Sequence, residues 1–365
     1  MRKGKNLSNY SGFSKLSPTD HKKVPVFLVL ILVIFLGACQ VNPRLVTPQP
    51  GDLREQIPEG ISADEAKILL SLKQIDDFPL YTMVYEGGLA VEKESTTTLH
   101  GFKEEPAWTC SLFAAYGDPD EMLFGRNFDW DFSPALLLFM DPPGGYASVS
   151  MVDIYYLGFG EDQAFGITDL PLVEQIGLLD APFIPFDGMN EKGLVVGMAA
   201  VPSGDMEEDP SKETIDSLMV IRKVLDQAAT INEAVEIIRS YNIEMGNTPI
   251  HYLISEQSGR SAVIEFSRGE IVVLPNENPW QLATNFLVAE AGIDPEVQCA
   301  RYGTIEEKLT EKEGKLSPHQ AMALLKEVSQ PSTQWSVVYR ISAGEVWVVM
   351  GGNYNQVHKL KSDLD

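Results

Sequence analysis

The order of apolar and polar positions divides this 365-residue chain into regions of different character. Positions 24–38 read VPVFLVLILVIFLGA, an unbroken apolar run without a charge, directly after His21, Lys22 and Lys23. From 41 to 60 periodicity is lost and prolines accumulate (VNPRLVTPQPGDLREQIPEG), the pattern of an extended tether. From 63 onward the pattern is that of folded elements. Residues 63–76 carry apolar positions at helical spacing, and 79–92 read as extended. Segments 110–116 and 122–128 flank Gly117, Asp118, Pro119 and Asp120, turn chemistry that predicts a hairpin. Further strands are expected at 146–157, 193–201, 252–256, 262–266 and 271–274, with a second hairpin from 335–341 and 345–350 around Ala343 and Gly344. Helices are expected at 217–228 and 232–240, where Thr230 and Glu233 have the spacing of a capping box. Ser317 and Pro318 supply the cap and first position of another, and 299–311 is a fourth. Strands in blocks and helices in blocks argue for an α+β fold with antiparallel sheet rather than a doubly wound parallel one.

The apolar run is too short for the ~20 residues that span a bilayer and has the length of a signal-peptide core, about 7–15. Just after it, Leu36, Gly37, Ala38 and Cys39 resemble the lipobox of bacterial lipoproteins, in which the Cys is lipidated and becomes the mature N-terminus. Residues 1–39 are therefore expected to be a lipoprotein signal peptide with Cys39 the lipidated residue, 40–62 a tether, and the body to face the extracytoplasmic side of a bacterial cell envelope, held to the membrane by a lipid anchor. An uncleaved signal anchor would place the body on the same side. Charge agrees with export. The formal net charge is −24, yet residues 1–38 hold six basic side chains against one acidic. A body this acidic repels phosphate backbones, so no nucleic-acid partner is expected. Three cysteines, Cys39, Cys110 and Cys299, are too few for a disulfide scaffold. With Cys39 lipidated, only Cys110 and Cys299 could pair.

The usual zinc-protease, nucleotide-binding and serine-hydrolase signatures (HExxH, the P-loop, GxGxxG, GxSxG) do not occur. Asp118 and Asp120 lie in a turn, where Asp is at home for backbone reasons, and neither a metal nor another cofactor is expected. His21 precedes the apolar run, and His100, His251, His319 and His358 have no recognisable Cys–His context. On its own, Cys110 reads as the small buried hydrophobe that free cysteine usually is.

The block Leu123-Phe124-Gly125-Arg126-Asn127-Phe128-Asp129-Trp130 changes that reading. With Arg126 16 and Asp129 19 positions after Cys110, it resembles the pattern of the choloylglycine hydrolase family of linear amide C–N hydrolases: Cys, a hairpin, then G-R-N-x-D. This family holds bile salt hydrolase and penicillin V acylase, with acid ceramidase and the penicillin-biosynthetic acyltransferases as relatives. Asp187-Gly188-Met189-Asn190-Glu191-Lys192-Gly193-Leu194 is similar to its segment carrying an oxyanion-hole Asn, which implies that role for Asn190. Thr284-Asn285 resembles the segment with the second Asn, and Cys299-Ala300-Arg301-Tyr302 the segment with a second active-site Arg, Cys299 and Ala300 replacing more usual small polar residues. The resemblance spans roughly 105–350.

What it implies is an N-terminal-nucleophile (Ntn) hydrolase, an αββα four-layer sandwich of two antiparallel sheets flanked by helices, over 110–365. Cys110 is the expected nucleophile. Its own α-amine, with a reference pKa near 7.7–8.0, would take the thiol proton. Arg126 would favour the thiolate, Asp129 hold the ammonium, Asn190 and Asn285 donate to the oxyanion, and Arg301 add positive charge. Bile salt hydrolases remove little more than an initiator Met, whereas here residues 40–109 stand before Cys110. Autocleavage at Thr109–Cys110 is therefore expected, with 63–109 a propeptide or small subunit. The expected substrate is an N-acylated small molecule. The alternatives are an acyltransferase of the isopenicillin N type and a non-catalytic, ligand-binding envelope lipoprotein.

Overall fold

A computed structural model describes residues 57–86, 109–204, 206–246, 248–292 and 295–361. The apolar run at 24–38, Cys39, most of the tether and residues 87–108 lie outside the described residues. Helix α1 (Ala63–Leu70) leads into β1 (Lys73–Asp76) and β2 (Leu80–Glu86). After Cys110 come β3 (Ser111–Ala115), β4 (Leu123–Asp129), β5 (Ala135–Asp141) and β6 (Ser148–Asp153), then the short α2 (Leu172–Gln175), β7 (Pro185–Asn190) and β8 (Val195–Ala200). Strand β9 (Thr214–Asp216) opens the pair α3 (Ser217–Gln227) and α4 (Ile231–Arg239), followed by β10 (Asn242–Glu244). The strands β11 (Ile250–Ser255), β12 (Ser261–Ser267), β13 (Glu270–Pro275) and β14 (Trp280–Ala283) precede α5 (Ala300–Glu311) and α6 (Pro318–Glu327). The chain closes with β15 (Thr333–Arg340), β16 (Glu345–Met350) and β17 (His358–Lys361).

Two sheets carry the architecture. One has nine strands in the order β1-β2-β5-β6-β7-β8-β11-β12-β13, the other six in the order β14-β3-β4-β15-β16-β17. Pairings within both are antiparallel except β2 with β5, which run parallel. Helix α3 packs on β7 and β8, with α4 against α3. Helices α5 and α6 pack on β3, β14, β4 and β15. The four layers run helices, sheet, sheet, helices, as the sequence led us to expect.

Strand alternation explains why both faces of the six-stranded sheet are dry. On β3, Leu112 and Ala114 join the apolar core between the sheets, while Phe113 and Ala115 join the one under α5 and α6. Successive strand side chains point to opposite faces, so a strand buried on both sides must be apolar throughout. The sheets come close together at Gly197, where an added Cβ would stand 2.9 Å from Leu112 and 3.1 Å from Phe124.

The first expected helix ends early. Its apolar spacing holds to Leu70, but Leu72 is followed by the antiparallel pair β1–β2 rather than another turn. The expected strand at 146–157 stops at Asp153, whose Oδ1 accepts the N–H of Tyr155 at 3.0 Å and starts a 3₁₀ turn, Ile154–Leu157. The described residues 63–86 ahead of Cys110 are part of the body. On β2, Leu80, Tyr81 and Met83 are fully buried, and the Tyr81 hydroxyl donates to the Ala164 carbonyl at 2.8 Å. Asp76 reaches the other sheet, meeting His358 Nε2 on β17 at 2.5 Å.

Candidate active site

The hairpin β3–β4 turns a spacing in sequence into neighbours in space. Its register sets Ser111 against Asn127 and Leu112 against Arg126. Leu112 and Arg126 therefore share the face turned to the nine-stranded sheet, and Cys110, two residues before Leu112, points the same way into that core. Cys110 is a free thiol, only 2% exposed. Burial pushes its pKa up; the Arg126 charge and the Asp129 N–H act against that, with Arg301 adding to them, while the Asp129 carboxylate acts with it.

Arg126 is fully buried and has its own anchorage. Nε donates to the Met198 carbonyl at 3.1 Å, Nη1 pairs with the Asp187 carboxylate, and Nη2 has no partner among the described residues. The guanidinium carbon lies 5.0 Å from the centroid of the Phe128 ring. Asp187, on β7 of the opposite sheet and equally buried, also accepts from the Tyr339 hydroxyl. Sequence reading had Asp187 only as the first residue of the Asn190 segment, without a role, and did not single out Tyr339. The signal available was Arg126 itself, since a cation on an inward strand position needs a buried anion.

Asp129 closes β4. One oxygen accepts from the Thr333 hydroxyl on β15, and the other, Oδ2, is buried and has no close hydrogen-bond partner among the described residues, the Thr109 hydroxyl acting on the carboxylate from further off. A bulge at Gln334 shifts the β4–β15 register between Thr333 and Trp335, which turns the Thr333 hydroxyl onto the carboxylate. Burial pushes the Asp129 pKa up to about 6, against the opposing pull of the Thr333 hydroxyl, Arg301, the Thr109 hydroxyl and Arg126.

Arg301, in the first turn of α5, ties Cys110 to Asn285. Its Nη1 donates to the Cys110 carbonyl and to Ser111 Oγ (2.7 Å), and its Nη2 donates to Asn285 Oδ1 at 3.0 Å. Asn285 Nδ2 donates to the Ala200 carbonyl at 2.8 Å, and among the described residues its second hydrogen has no acceptor. Cys110, Arg126, Asp129, Asn285 and Arg301 thus form one cluster, as the motifs implied.

Asn190 does not join it. Its Nδ2 donates to the Leu225 and Ala228 carbonyls at the end of α3, at 2.9 and 2.8 Å, while Oδ1 accepts the N–H groups of Lys192 and Leu194. Both amide hydrogens are committed, so no donor is left for an oxyanion. Its work is to close the turn before Gly193 (φ 72°) and hold the end of α3 to the sheet. The expected second oxyanion donor must come from another group.

An aromatic wall stands beside Cys110. Phe128 stacks on Trp335 at 4.1 Å between centroids, and Phe186 meets Phe128 edge-on at 5.2 Å. Trp130 and Tyr156, only partly buried, extend the wall outward. Among the described residues, no group of three or more His, Cys, Asp or Glu side chains could hold a metal ion.

Residues 110–286 match the family model described as linear amide C–N hydrolases, choloylglycine hydrolase family. Penicillin V acylase from Agrobacterium tumefaciens is 18% identical, with a TM-score of 0.47 over 69% of this chain and 91% of that one. Two single-residue variants of conjugated bile acid hydrolase from Clostridium perfringens are each 17% identical, with TM-scores of 0.46 and 0.49 over 70% of this chain and 93% of theirs.

Two outcomes follow from this geometry. Asp187→Asn leaves the Arg126 charge buried without its counter-ion and should destabilise the fold by about 3–5 kcal/mol, read from urea unfolding. The raised pKa of Asp129 makes its contribution to stability largest below the unfolded value near 4, and this contribution is lost as pH rises toward about 6. In a Cys110→Ala background, Asp129→Asn should therefore melt higher than its parent at pH 7.5, with the difference closing at pH 4. An unchanging difference would show that the carboxylate is not strained by burial.

Proposed function

We propose that this chain, whose residues 110–286 belong to the linear amide C–N hydrolases and make it a hydrolase of carbon–nitrogen bonds other than peptide bonds, is an N-terminal cysteine amidohydrolase that activates itself by cutting Thr109–Cys110. The observation that carries this reading is the unpaired oxygen of Asp129 beside the buried Cys110 thiol. Among the described residues that carboxylate has no ion-pair partner in the uncut chain. Cleavage turns the Cys110 amide into an α-ammonium group at the same place, and the two charges then meet.

Activation begins with the Cys110 sulfur adding to the Thr109 carbonyl carbon. The C–N bond to Cys110 breaks, its nitrogen takes up a proton to leave as the amine, and water releases the Thr109 carboxylate from the thioester. In turnover the freed amine accepts the thiol proton, and sulfur attacks the substrate amide. The uncommitted hydrogen of Asn285 Nδ2 donates to the oxyanion, with Arg301 holding the amide from its oxygen side. The proton passes from the ammonium to the leaving nitrogen, the C–N bond breaks, and water hydrolyses the acyl thioester. A preorganised donor of this kind typically contributes about 10²–10³ in rate. Arg126, held by Asp187, favours the thiolate that burial disfavours.

The aromatic wall of Phe128, Phe186, Trp335, Trp130 and Tyr156 suits an apolar acyl group, so the substrate class is an N-acylated small amine or amino acid with a hydrophobic acyl chain. The buried strand β2 argues that residues 63–86 remain bound after the cut as part of a small subunit. A lipid on Cys39 would then hold the enzyme on the extracytoplasmic face of the cell envelope.

One experiment tests the set. The full-length gene is expressed in a bacterium, the protein is recovered from membranes, and wild type is compared with Cys110→Ala by intact mass. The expected result is two co-purifying chains for wild type, the larger beginning at Cys110 and the smaller at a lipidated Cys39, against one uncut chain for the variant. An uncut, folded wild type leaves Cys110 without a free amine and removes the mechanism. Recovery of the cut pair in the soluble fraction removes only the anchor.

A further inference from the structure

The loop that carries Asn285 is held by a buried carboxylate with no part in the chemistry above. Glu265 on β12 is fully buried, and its two oxygens accept the N–H groups of Val288 at 2.7 Å and Ala289 at 2.9 Å. These groups open the 3₁₀ turn Val288–Glu290, and Leu287, the residue before it, provides no side-chain cap. The first N–H groups of a helical turn have no partner within it, so the acceptor must come from outside. Glu265 supplies it from the other sheet, three residues beyond Asn285.

Two neighbours support Glu265. His251 on β11, fully buried, meets Glu265 Oε1 through Nδ1 at 3.1 Å, which holds the carboxylate in one orientation. Ser267, two residues along β12, donates to Glu290 Oε1 at 2.5 Å and holds the far end of the same turn. Asn285 itself is clamped by the Ala200 carbonyl and by Arg301. Those bonds act on its side-chain amide, whereas the direction of its backbone is set by where the chain is held next, at 288–290. Donor placement matters because an oxyanion hole works only at hydrogen-bond distance from the position the oxyanion will occupy.

We propose that Glu265, supported by His251 and Ser267, is a positioning residue for Asn285: by capping the turn at 288–290 it fixes where the Asn285 amide points. The inference rests on Asn285 being the oxyanion donor, and the test separates the two. Glu265→Gln keeps size and shape but sets an NH₂ group against one of the loop N–H groups. Acylation of Cys110 is followed as the burst of nitrophenolate from 4-nitrophenyl octanoate, in the cut enzyme, for wild type, Glu265→Gln, Asn285→Ala and the double variant. Asn285→Ala should slow the burst about 10²–10³-fold. Glu265→Gln should slow it about 10–100-fold at saturating ester, leave half-saturation unchanged, and add nothing in the Asn285→Ala background.

An equal loss in both backgrounds, or a burst within about twofold of wild type for Glu265→Gln, overturns the positioning role. If Glu265→Gln does not fold by thermal melting, Ser267→Ala takes its place, with a several-fold loss expected on wild type and none on Asn285→Ala. Wild-type speed in Asn285→Ala, or no burst from wild type, instead rejects the reading of the site on which the inference stands.

Discussion

Between the two sheets the Arg126 guanidinium meets the Asp187 carboxylate, and neither side chain is exposed. Removing two charges from water is costly, and the attraction between them offsets that only when the geometry is good and the remaining polar atoms are bonded. Here the Met198 carbonyl and the Tyr339 hydroxyl supply most of those bonds, leaving Arg126 Nη2 without one among the described residues, so four residues from β4, β7, β8 and β15 are committed to one arrangement. The ion pair thereby fixes how the sheets face one another at the place where Cys110 enters the core. It also fixes the cation that opposes the effect of burial on the thiol. Such a pair is weak as a source of stability and effective as a determinant of alignment. The aromatic wall and the approach at Gly197 both depend on that alignment.

The second constraint is a deficit. Asp129 lies in a site dry enough to raise its pKa to about 6, with Thr333 on one oxygen and, among the described residues, no close partner on the other. A native protein seldom leaves a buried carboxylate oxygen unmet without a reason in its chemistry. The proposed cut gives that reason, since it creates a cation where one is lacking. The same event would supply the base that a site without a recognisable Cys–His pair needs. Activation and catalysis then share one local electrostatic arrangement, with the precursor as its unbalanced form.

The scaffold around this centre is divided between two sources of order. Asn285 follows a strand of the six-stranded sheet, yet what holds it comes from the nine-stranded one: the Ala200 carbonyl directly, and Glu265 through the following turn. The segment before Cys110 also spans both sheets, with β2 inside one and Asp76 meeting His358 of the other. Arg126 and Asn285 are therefore located by contacts from the sheet opposite their own, whereas Asp129 is held within its own sheet by Thr333.

How much of this was legible in the sequence follows from the range of the interactions. The β3–β4 hairpin, its turn, and the offsets from Cys110 to Arg126 and Asp129 are local, and a two-residue period with a turn between determines which side chains share a face. The caps of α4 and α6 were readable for the same reason, because Thr230 with Glu233 and Ser317 with Gln320 satisfy their own helix ends. Resemblance extended that reading to Asn285 and Arg301. The partner of Arg126 was not legible, because it lies 61 residues away on another sheet. Nor was the commitment of Asn190 to α3, because whether an amide is free depends on carbonyls that only packing brings beside it. Residue identity, short-range spacing and the resemblance they carry thus picked out Cys110 and its neighbours on the β3–β4 hairpin, while tertiary structure decided which polar groups stay available, since hydrogen-bond partners across sheets are set by layer packing.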